Sequence, residues 1–212
     1  LTFILDKMED FTIDNNFKNN KNINFKNFYK NNNIIINSVK IQQITQYKCL
    51  NCNNLTKLNY NNYLNKIQLS ISKNNIRSFE DALNNYTLTN EMNDYNCEQC
   101  NTSGKAKERT LLTVLPKYII IQLLRFKNDG HKINKSIDIP LIINFDKYSH
   151  KMKNMNYELN SVTCHIDFSI MSGHYISIIK RNDTWYMQND NEVKTVSKDS
   201  ALEYIKNKGY IM

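Results

Sequence analysis

The second half of the chain alternates between short apolar segments and polar turns. Residues 118–126 are apolar at most positions, which predicts a central strand covered on both faces. Residues 175–179 and 185–187 are two further apolar runs separated by a polar turn, which predicts a β-hairpin. Other strand patterns cover residues 39–47, 60–72, 105–114, 133–139, 141–145 and 157–165. The chain is therefore predicted to be rich in β-structure.

Helical signals are few and short. Residues 1–11 have apolar positions at helical spacing but no N-cap, so we expect the end of a helix that the sequence enters part-way. Ser78 and Ser200 each stand three residues before an acidic residue, which is capping-box spacing and predicts two short helices. Residues 10–40 are rich in Asn and Lys with little periodicity, and we interpret most of them as a partly disordered surface insertion.

Composition limits the possible classes of protein. The 212 residues, 41% of them hydrophobic, suit one domain or slightly more. The net charge is +8, but the Lys residues are scattered and accompany abundant Asn and Ile. That combination is typical of AT-rich codon usage, and we favour it over nucleic-acid binding as the cause of the charge. No apolar run reaches the 18 or so residues that span a bilayer, and the first residues do not resemble a secretory signal.

Four of the five cysteines form two Cys-x-x-Cys pairs, Cys49 with Cys52 and Cys97 with Cys100. This spacing lets two thiolates face one point while amides of the turn stabilise their charge, so two pairs can supply the four ligands of a structural zinc ion. One alternative is two disulfides, which a reducing intracellular compartment disfavours. The other is a redox-active Cys-x-x-Cys motif, which needs only one pair. Cys164 lies in an apolar strand, and we interpret it as a buried, inert thiol.

Candidate catalytic chemistry lies on the predicted hairpin. His174 opens its first strand, while Asn189 and Asp190 close its second, so a hairpin brings the three residues together. A histidine oriented by an amide or carboxylate is the base-and-orienter half of a nucleophilic site. The plain alternative is a histidine with only a structural role. The nucleophile is not adjacent and would have to come from elsewhere.

Taken in order, these segments resemble the ubiquitin-specific proteases, a family of cysteine deubiquitinases. The resemblance is carried by both cysteine pairs and by residues 79–83, 95–97, 115–126, 132–133, 140, 157–165, 173–175, 185–186 and 189–190. It implies an α+β, papain-like fold with an antiparallel Palm sheet and a zinc-tipped β-ribbon, the Fingers. It places the end of the helical Thumb and an insertion at residues 1–37, the Fingers at 38–110 and the Palm at 111–212, with most of the Thumb missing.

The resemblance also implies roles for individual residues. His174 would be the general base, Asn189 would orient its imidazole, and Asp190 would help to stabilise the oxyanion. The nucleophilic cysteine would lie upstream of Leu1, so this chain alone would be inactive. One structural zinc and no catalytic cofactor are implied. We expect ubiquitin and ubiquitinated proteins as partners, no nucleic acid, no membrane, and a monomer.

Three positions depart from the family pattern. Leu124 replaces a Lys, Gln188 replaces an aromatic residue, and Asp167 stands where the family has Gly. Two alternative functions also stay open. One is a catalytically inactive ubiquitin-binding or scaffolding module. The other is a zinc-ribbon protein that binds nucleic acid, although the acidic residues around Cys97 weaken that interpretation.

Overall fold

A computed structural model describes residues 38–59, 63–166 and 173–212. Within those ranges the strands are β1 (Gln42–Cys49), β2 (Leu55–Asn59), β3 (Ile67–Ser70), β4 (Asn90–Cys97), β5 (Thr102–Val114), β6 (Ile121–Leu124), β7 (Ile142–Asn144), β8 (Asn156–Glu158), β9 (Ser161–His165), β10 (Tyr175–Arg181), β11 (Thr184–Asn189), β12 (Glu192–Val196) and β13 (Gly209–Ile211). The helices are α1 (Phe79–Tyr86) and α2 (Lys198–Lys208), with a 3-10 turn at Asp146–Tyr148. In this part of the chain, no helix has both the length and the apolar character needed to cross a membrane. The helix expected at residues 1–11, the insertion and Asp167 lie outside the described residues.

The strands form two larger sheets and one small hairpin. The first, which we call the ribbon, has the order β2-β1-β5-β4 and is antiparallel throughout. The second, which we call the main sheet, has the order β12-β11-β10-β9-β13-β6-β3. Its neighbours are antiparallel except for β3 and β6, which run parallel. The predicted α+β fold with a sheet and a cysteine-tipped ribbon is confirmed, with this one parallel pair as a departure.

The strand predicted at residues 118–126 is shorter and less covered than expected. β6 lies beside the edge strand β3, and its side chains alternate between buried and partly or fully exposed positions. Ile121 and Leu123 face the core, while Gln122 accepts a hydrogen bond from Gln68 (3.0 Å) and donates one to the Tyr210 hydroxyl (2.7 Å). β6 is an interior strand, between β13 and β3, but the prediction that both of its faces are covered was wrong. A run of apolar residues does not reveal what covers each face of a strand.

Within the strand predicted at residues 60–72, β3 belongs to the main sheet and not to the ribbon. Ile67 and Leu69 of β3, together with Ile71, are completely buried in one core cluster with α1. The same cluster contains Leu123 and Phe145, so the segment from β3 to the end of α1 packs against residues of the predicted Palm range, although it lies inside the range 38–110 predicted for the Fingers. The domain boundaries themselves stay a prediction.

One of the two predicted helix starts is confirmed and the other is displaced. Ser78 caps α1, since its hydroxyl accepts from the Asp81 amide (3.0 Å) and the Asp81 carboxylate accepts from the Ser78 amide (3.0 Å). For α2 the predicted start at Ser200 was wrong. The N-cap is Ser197, whose hydroxyl accepts from the Ser200 amide (3.2 Å). The helix begins directly after β12, because the earlier serine already offers a cap when the strand ends.

Arg125, at the end of β6, is the largest side chain that is completely buried among the described residues. Its guanidinium donates to the carbonyls of Gly209 (2.5 Å), Lys135 (2.7 Å), Ile133 (3.3 Å) and Lys206 (3.5 Å). Burial lowers the pKa of Arg125 to about 10, which still leaves a cation at neutral pH. The side chain therefore ties the end of α2 to the segment that follows β6.

Replacing Arg125 with methionine is expected to lower the free energy of unfolding by about 3 kcal/mol. The carbonyls would lose their donor, at a cost of roughly 1–3 kcal/mol for each group left unsatisfied, partly offset because no charge remains buried. Urea unfolding can be followed through the fluorescence of buried Trp185, the single tryptophan. Exposed Arg181→Met is the control. Equal stability of the two variants would contradict this role.

Candidate active site and metal centre

The hairpin that carries the candidate catalytic residues is formed by β10 and β11. Its two-residue turn, Asn182 and Asp183, has φ values of 47° and 63°, as a type I′ turn requires. Asn and Asp tolerate this left-handed conformation better than other residues with a side chain. The register places His174, directly before β10, and Asn189, the last residue of β11, at the same end of the hairpin.

His174 and Asn189 are joined by a hydrogen bond between the imidazole Nε2 and the amide Oδ1. An amide oxygen only accepts, so Nε2 carries the proton and Nδ1 keeps its lone pair. His174 is partly buried and Asn189 is exposed, and the hydrogen bond to Asn189 engages Nε2 and not Nδ1. This arrangement can accept a proton at Nδ1 while the ring orientation stays fixed.

Asp190 occupies the turn that joins β11 to β12. Its φ of 48° is left-handed, and it is exposed at the same end of the main sheet as His174. The structure therefore brings together the three residues that the sequence singled out, with a direct hydrogen bond for two of them.

The sequence attached no role to a second pair of residues behind this hairpin. The ammonium of Lys132 lies 2.9 Å from Nδ1 of His165 and 2.6 Å from the His165 carbonyl oxygen. The His165 ring is 1% exposed and lies against the backbone of Gly173. Thirty-three positions separate the lysine from the histidine, and no local pattern relates them.

Cys164 is completely buried in β9, opposite Ile176. Burial raises the pKa of its thiol to about 12, so the nucleophilic thiolate is scarce at neutral pH. The structure gives this cysteine the environment of an inert core residue.

Iodoacetamide at pH 8 is expected to leave Cys164 unmodified in the folded protein. The buried thiol is inaccessible to the reagent, and its raised pKa keeps it protonated. The same treatment in 8 M urea should alkylate it fully, as peptide mapping by mass spectrometry would report. Native alkylation at the rate seen in urea would mean that Cys164 is reactive.

The four paired cysteines come together at the tip of the ribbon. Their Sγ atoms all lie within 4.8 Å of one another, with 3.9 Å between Cys49 and Cys100 and 3.6 Å between Cys52 and Cys97. A tetrahedral thiolate site with metal–sulfur bonds of about 2.3 Å places its sulfurs about 3.8 Å apart. All four are free thiols, and the separations far exceed a disulfide bond. The cluster is therefore close enough to hold a metal ion.

The surroundings favour the thiolate at two of the four cysteines, Cys49 and Cys100. At Cys52 the backbone N–H of Asn54 lowers the pKa, but burial and the neighbouring thiols outweigh it and raise the pKa to about 12. The hydroxyl of Thr102 (3.0 Å) and the amide of Asn51 (3.6 Å) lower the pKa of Cys100 to about 6. The backbone N–H of Cys52 is the main cause that lowers the pKa of Cys49. Metal ligation requires deprotonated sulfur, so these donors prepare the site for a cation.

Each Cys-x-x-Cys turn, which we call a knuckle, is followed by an asparagine whose backbone is in the left-handed conformation. Asn53 has φ 59° and Asn101 has φ 52°. The short polar side chain of Asn tolerates this conformation, which turns the chain back into the next strand. The repeated Cys-x-x-Cys-Asn was visible in the sequence and could have predicted both turns.

Comparison with known proteins identifies relatives across the whole chain. The sequence model of the family described as "Ubiquitin carboxyl-terminal hydrolase" matches residues 1–212. Ubiquitin carboxyl-terminal hydrolase 20 of Arabidopsis thaliana is 26% identical over 168 residues, which are 75% of this chain and 24% of that protein. Ubiquitin carboxyl-terminal hydrolase 17-like protein 13 of Homo sapiens is 30% identical over 165 residues, which are 74% of this chain and 30% of that protein. The chain thus spans a quarter to a third of the length of these curated relatives.

Solved structures share the fold. The SAGA Ubp8(S144N)/Sgf11/Sus1/Sgf73 DUB module matches with a TM-score of 0.81 and 21% identity, over 99% of this chain and 48% of the matched chain. The Ubp8/Sgf11/Sus1/Sgf73 module bound to ubiquitin aldehyde matches with a TM-score of 0.71 and 22% identity, over 84% of this chain and 41% of the matched chain. At this identity the likeness concerns the fold alone.

Proposed function

The chain belongs to the ubiquitin carboxyl-terminal hydrolase family, and on that premise we propose that it is the base-bearing part of a thiol-dependent deubiquitinase. The observation that carries this proposal is the hydrogen bond from His174 Nε2 to Asn189 Oδ1. It fixes the ring tautomer and directs the lone pair of Nδ1 away from Asn189, as a base requires. A histidine with only a structural role has no need of such an orienter.

The nucleophilic cysteine is proposed to lie in sequence that precedes Leu1. The five cysteines of this chain do not suit the role of nucleophile, because four cluster at the ribbon tip and Cys164 is buried. The chain also covers only part of its relatives. Proton transfer to His174 Nδ1 would convert this cysteine to a thiolate.

The reaction then proceeds in two steps. The thiolate attacks the carbonyl carbon of the isopeptide bond after ubiquitin's C-terminal glycine. Asp190 would help to stabilise the oxyanion through a water molecule that its carboxylate orients, because a carboxylate itself only accepts hydrogen bonds. The imidazolium of His174 returns its proton to the departing lysine amine, which leaves a thioester. Water, deprotonated by His174, hydrolyses that thioester and releases ubiquitin.

The metal at the ribbon tip is proposed to be zinc with a structural role. Cys49, Cys52, Cys97 and Cys100 would fill all four positions of a tetrahedral ion, which leaves none for substrate. The ion would hold the β1–β2 and β4–β5 turns together. No step of the reaction depends on it.

The proposed partners are ubiquitin and ubiquitinated proteins. One matched structure of similar fold is described as bound to ubiquitin aldehyde, which supports ubiquitin as the ligand of this chain. Free cysteines suit a reducing compartment, and we propose that the protein acts there as a monomer.

Labelling of the full-length protein by ubiquitin with a C-terminal thiol-reactive group tests the proposal. We expect one adduct, mapped by mass spectrometry to a cysteine before Leu1, and no adduct in the His174→Ala variant. An adduct at Cys164 would show a different nucleophile. Ubiquitin binding without an adduct would establish an inactive binding module, and absence of both would exclude a ubiquitin-directed function.

A further inference from the structure

We infer that His165, held by Lys132, is a positioning residue that supports the backbone of His174 from the opposite face of the strand. The inference rests on the proposed role of His174 as the base. It concerns two residues outside the His174–Asn189 hydrogen bond, Lys132 and His165, which contact each other.

The ammonium of Lys132 is a donor that orients the His165 ring. A lysine ammonium can only donate, so Nδ1 of His165, 2.9 Å from Lys132 Nζ, must accept. In the neutral ring the proton is then on Nε2. The same ammonium donates to the carbonyl oxygen of His165 (2.6 Å), so a single group holds both the ring and the end of β9.

Aromatic side chains hold the ring from its sides. Phe126 makes an edge-to-face contact with centroids 5.1 Å apart, and Tyr175 makes another at 4.9 Å. With 1% of the residue exposed, the ring has no space in which to rotate. The orientation of the imidazole at the end of β9 is therefore fixed.

The fixed His165 ring sterically limits the position of the backbone at Gly173, before β10. A Cβ atom on Gly173 would lie 2.1 Å from Nε2 and 2.8 Å from Cδ2 of His165. Glycine is needed here for close approach and not for an unusual φ. The backbone of residue 173 thus lies directly against the ring, one residue before His174.

The strand pairing passes this constraint to His174. His165 pairs with Tyr175, and the Ile166 amide donates to the His174 carbonyl (3.0 Å). Side chains alternate along an extended strand, so Gly173 and Tyr175 face His165 while His174 points to the other side, towards Asn189. The Lys132–His165 pair therefore locates the His174 backbone without occupying the site.

A double-mutant cycle in the full-length protein tests this arrangement. Gly173→Ala is expected to lower kcat for a fluorogenic ubiquitin substrate about tenfold or more, with less change in KM, because a shift of about 1 Å at the base misaligns proton transfer. In the His165→Ala background the added methyl group has space. There Gly173→Ala should change kcat less than about twofold. Equal losses in both backgrounds would overturn the inference.

Lysine variants separate positioning from simple structural support. Lys132→Met removes the donor and is expected to lower kcat, and Lys132→Arg, which keeps a donor, should restore most of it. Lys135→Met is the matched control, because Lys135 bonds the carbonyls of Lys73 and Ile71 and has no contact with His165 among the described hydrogen bonds. It should lower the Tm but not kcat. Loss of kcat in Lys135→Met equal to that in Lys132→Met would reduce Lys132 to a structural residue.

Ring protons give a readout that does not require activity. Nitrogen-15 NMR of the histidines should show His165 with an unprotonated Nδ1, and His174 with a protected Nε2 proton that is lost in Gly173→Ala and regained in the double variant. If the wild-type protein hydrolyses no ubiquitin substrate, the proposed function fails, yet these spectra still decide the positioning. A His174 signal unaffected by Gly173→Ala would refute it.

Discussion

Serine in place of Cys97 is expected to abolish tight zinc binding and to unfold the tip of the ribbon. The Sγ separations of 3.6 and 3.9 Å suit a tetrahedral ion, and a serine hydroxyl does not replace a thiolate as a zinc ligand at neutral pH. In small zinc domains the binding free energy, about 10–16 kcal/mol, is also the free energy that folds the site. After dialysis against EDTA, the wild-type protein should retain one equivalent of zinc, whereas Cys97→Ser should retain almost none.

The loss of order should remain local. The cysteine cluster lies at the ends of β1 and β4, whereas Ile176 and Ile178 belong to a separate core cluster with Trp185. Hydrogen exchange should therefore accelerate at the amides of residues 49–52 and 97–102 and stay slow at those of Ile176 and Ile178.

Cys164→Ser is the control for this experiment, since it makes the same atomic change at a buried cysteine away from the cluster. It should keep one equivalent of zinc even though it adds a polar group to the core. Retention of a full equivalent by Cys97→Ser would show that the four cysteines do not act as one ligand set.

Features that depend on nearby residues were predictable from the sequence. Each Cys-x-x-Cys spacing predicts a local turn. Two such pairs together predict four ligands for one metal ion. The hairpin needs only two apolar runs and a two-residue turn, and its register then places His174 beside Asn189. In each case the determining interactions connect residues within a turn or across one hairpin.

Features that depend on distant parts of the chain were not predictable. The apolar run around β6 does not reveal that its neighbour is the edge strand β3, which comes from a segment some fifty residues earlier. The start of α2 depended on which of two serines stands where β12 ends. The contact of Lys132 with His165 exists only after β9 and the segment following β6 have packed together. The pattern of a single sequence carries no information about which distant segments contact each other.

Alanine in place of His174 is expected to lower kcat of the full-length protein about a thousandfold, within the range of 10²–10⁴ that general acid–base groups contribute. Both the formation of the thiolate and the protonation of the leaving amine would lose their proton carrier. The position of Asn189 predicts a graded series, because its Oδ1 fixes the ring without taking part in proton transfer. Asn189→Ala should cost less than His174→Ala.

Asn189→Asp tests which property of the orienter matters. The carboxylate keeps an oxygen where Oδ1 accepts from Nε2 of His174, and it also favours the imidazolium by its charge. We therefore expect kcat/KM closer to that of the wild type than to that of Asn189→Ala. Asn191→Ala, an exposed change in the adjoining turn, should have no effect. If Asn189→Ala kept full activity while His174→Ala was inactive, the imidazole would be held by its surroundings on the His165 side and not by the amide.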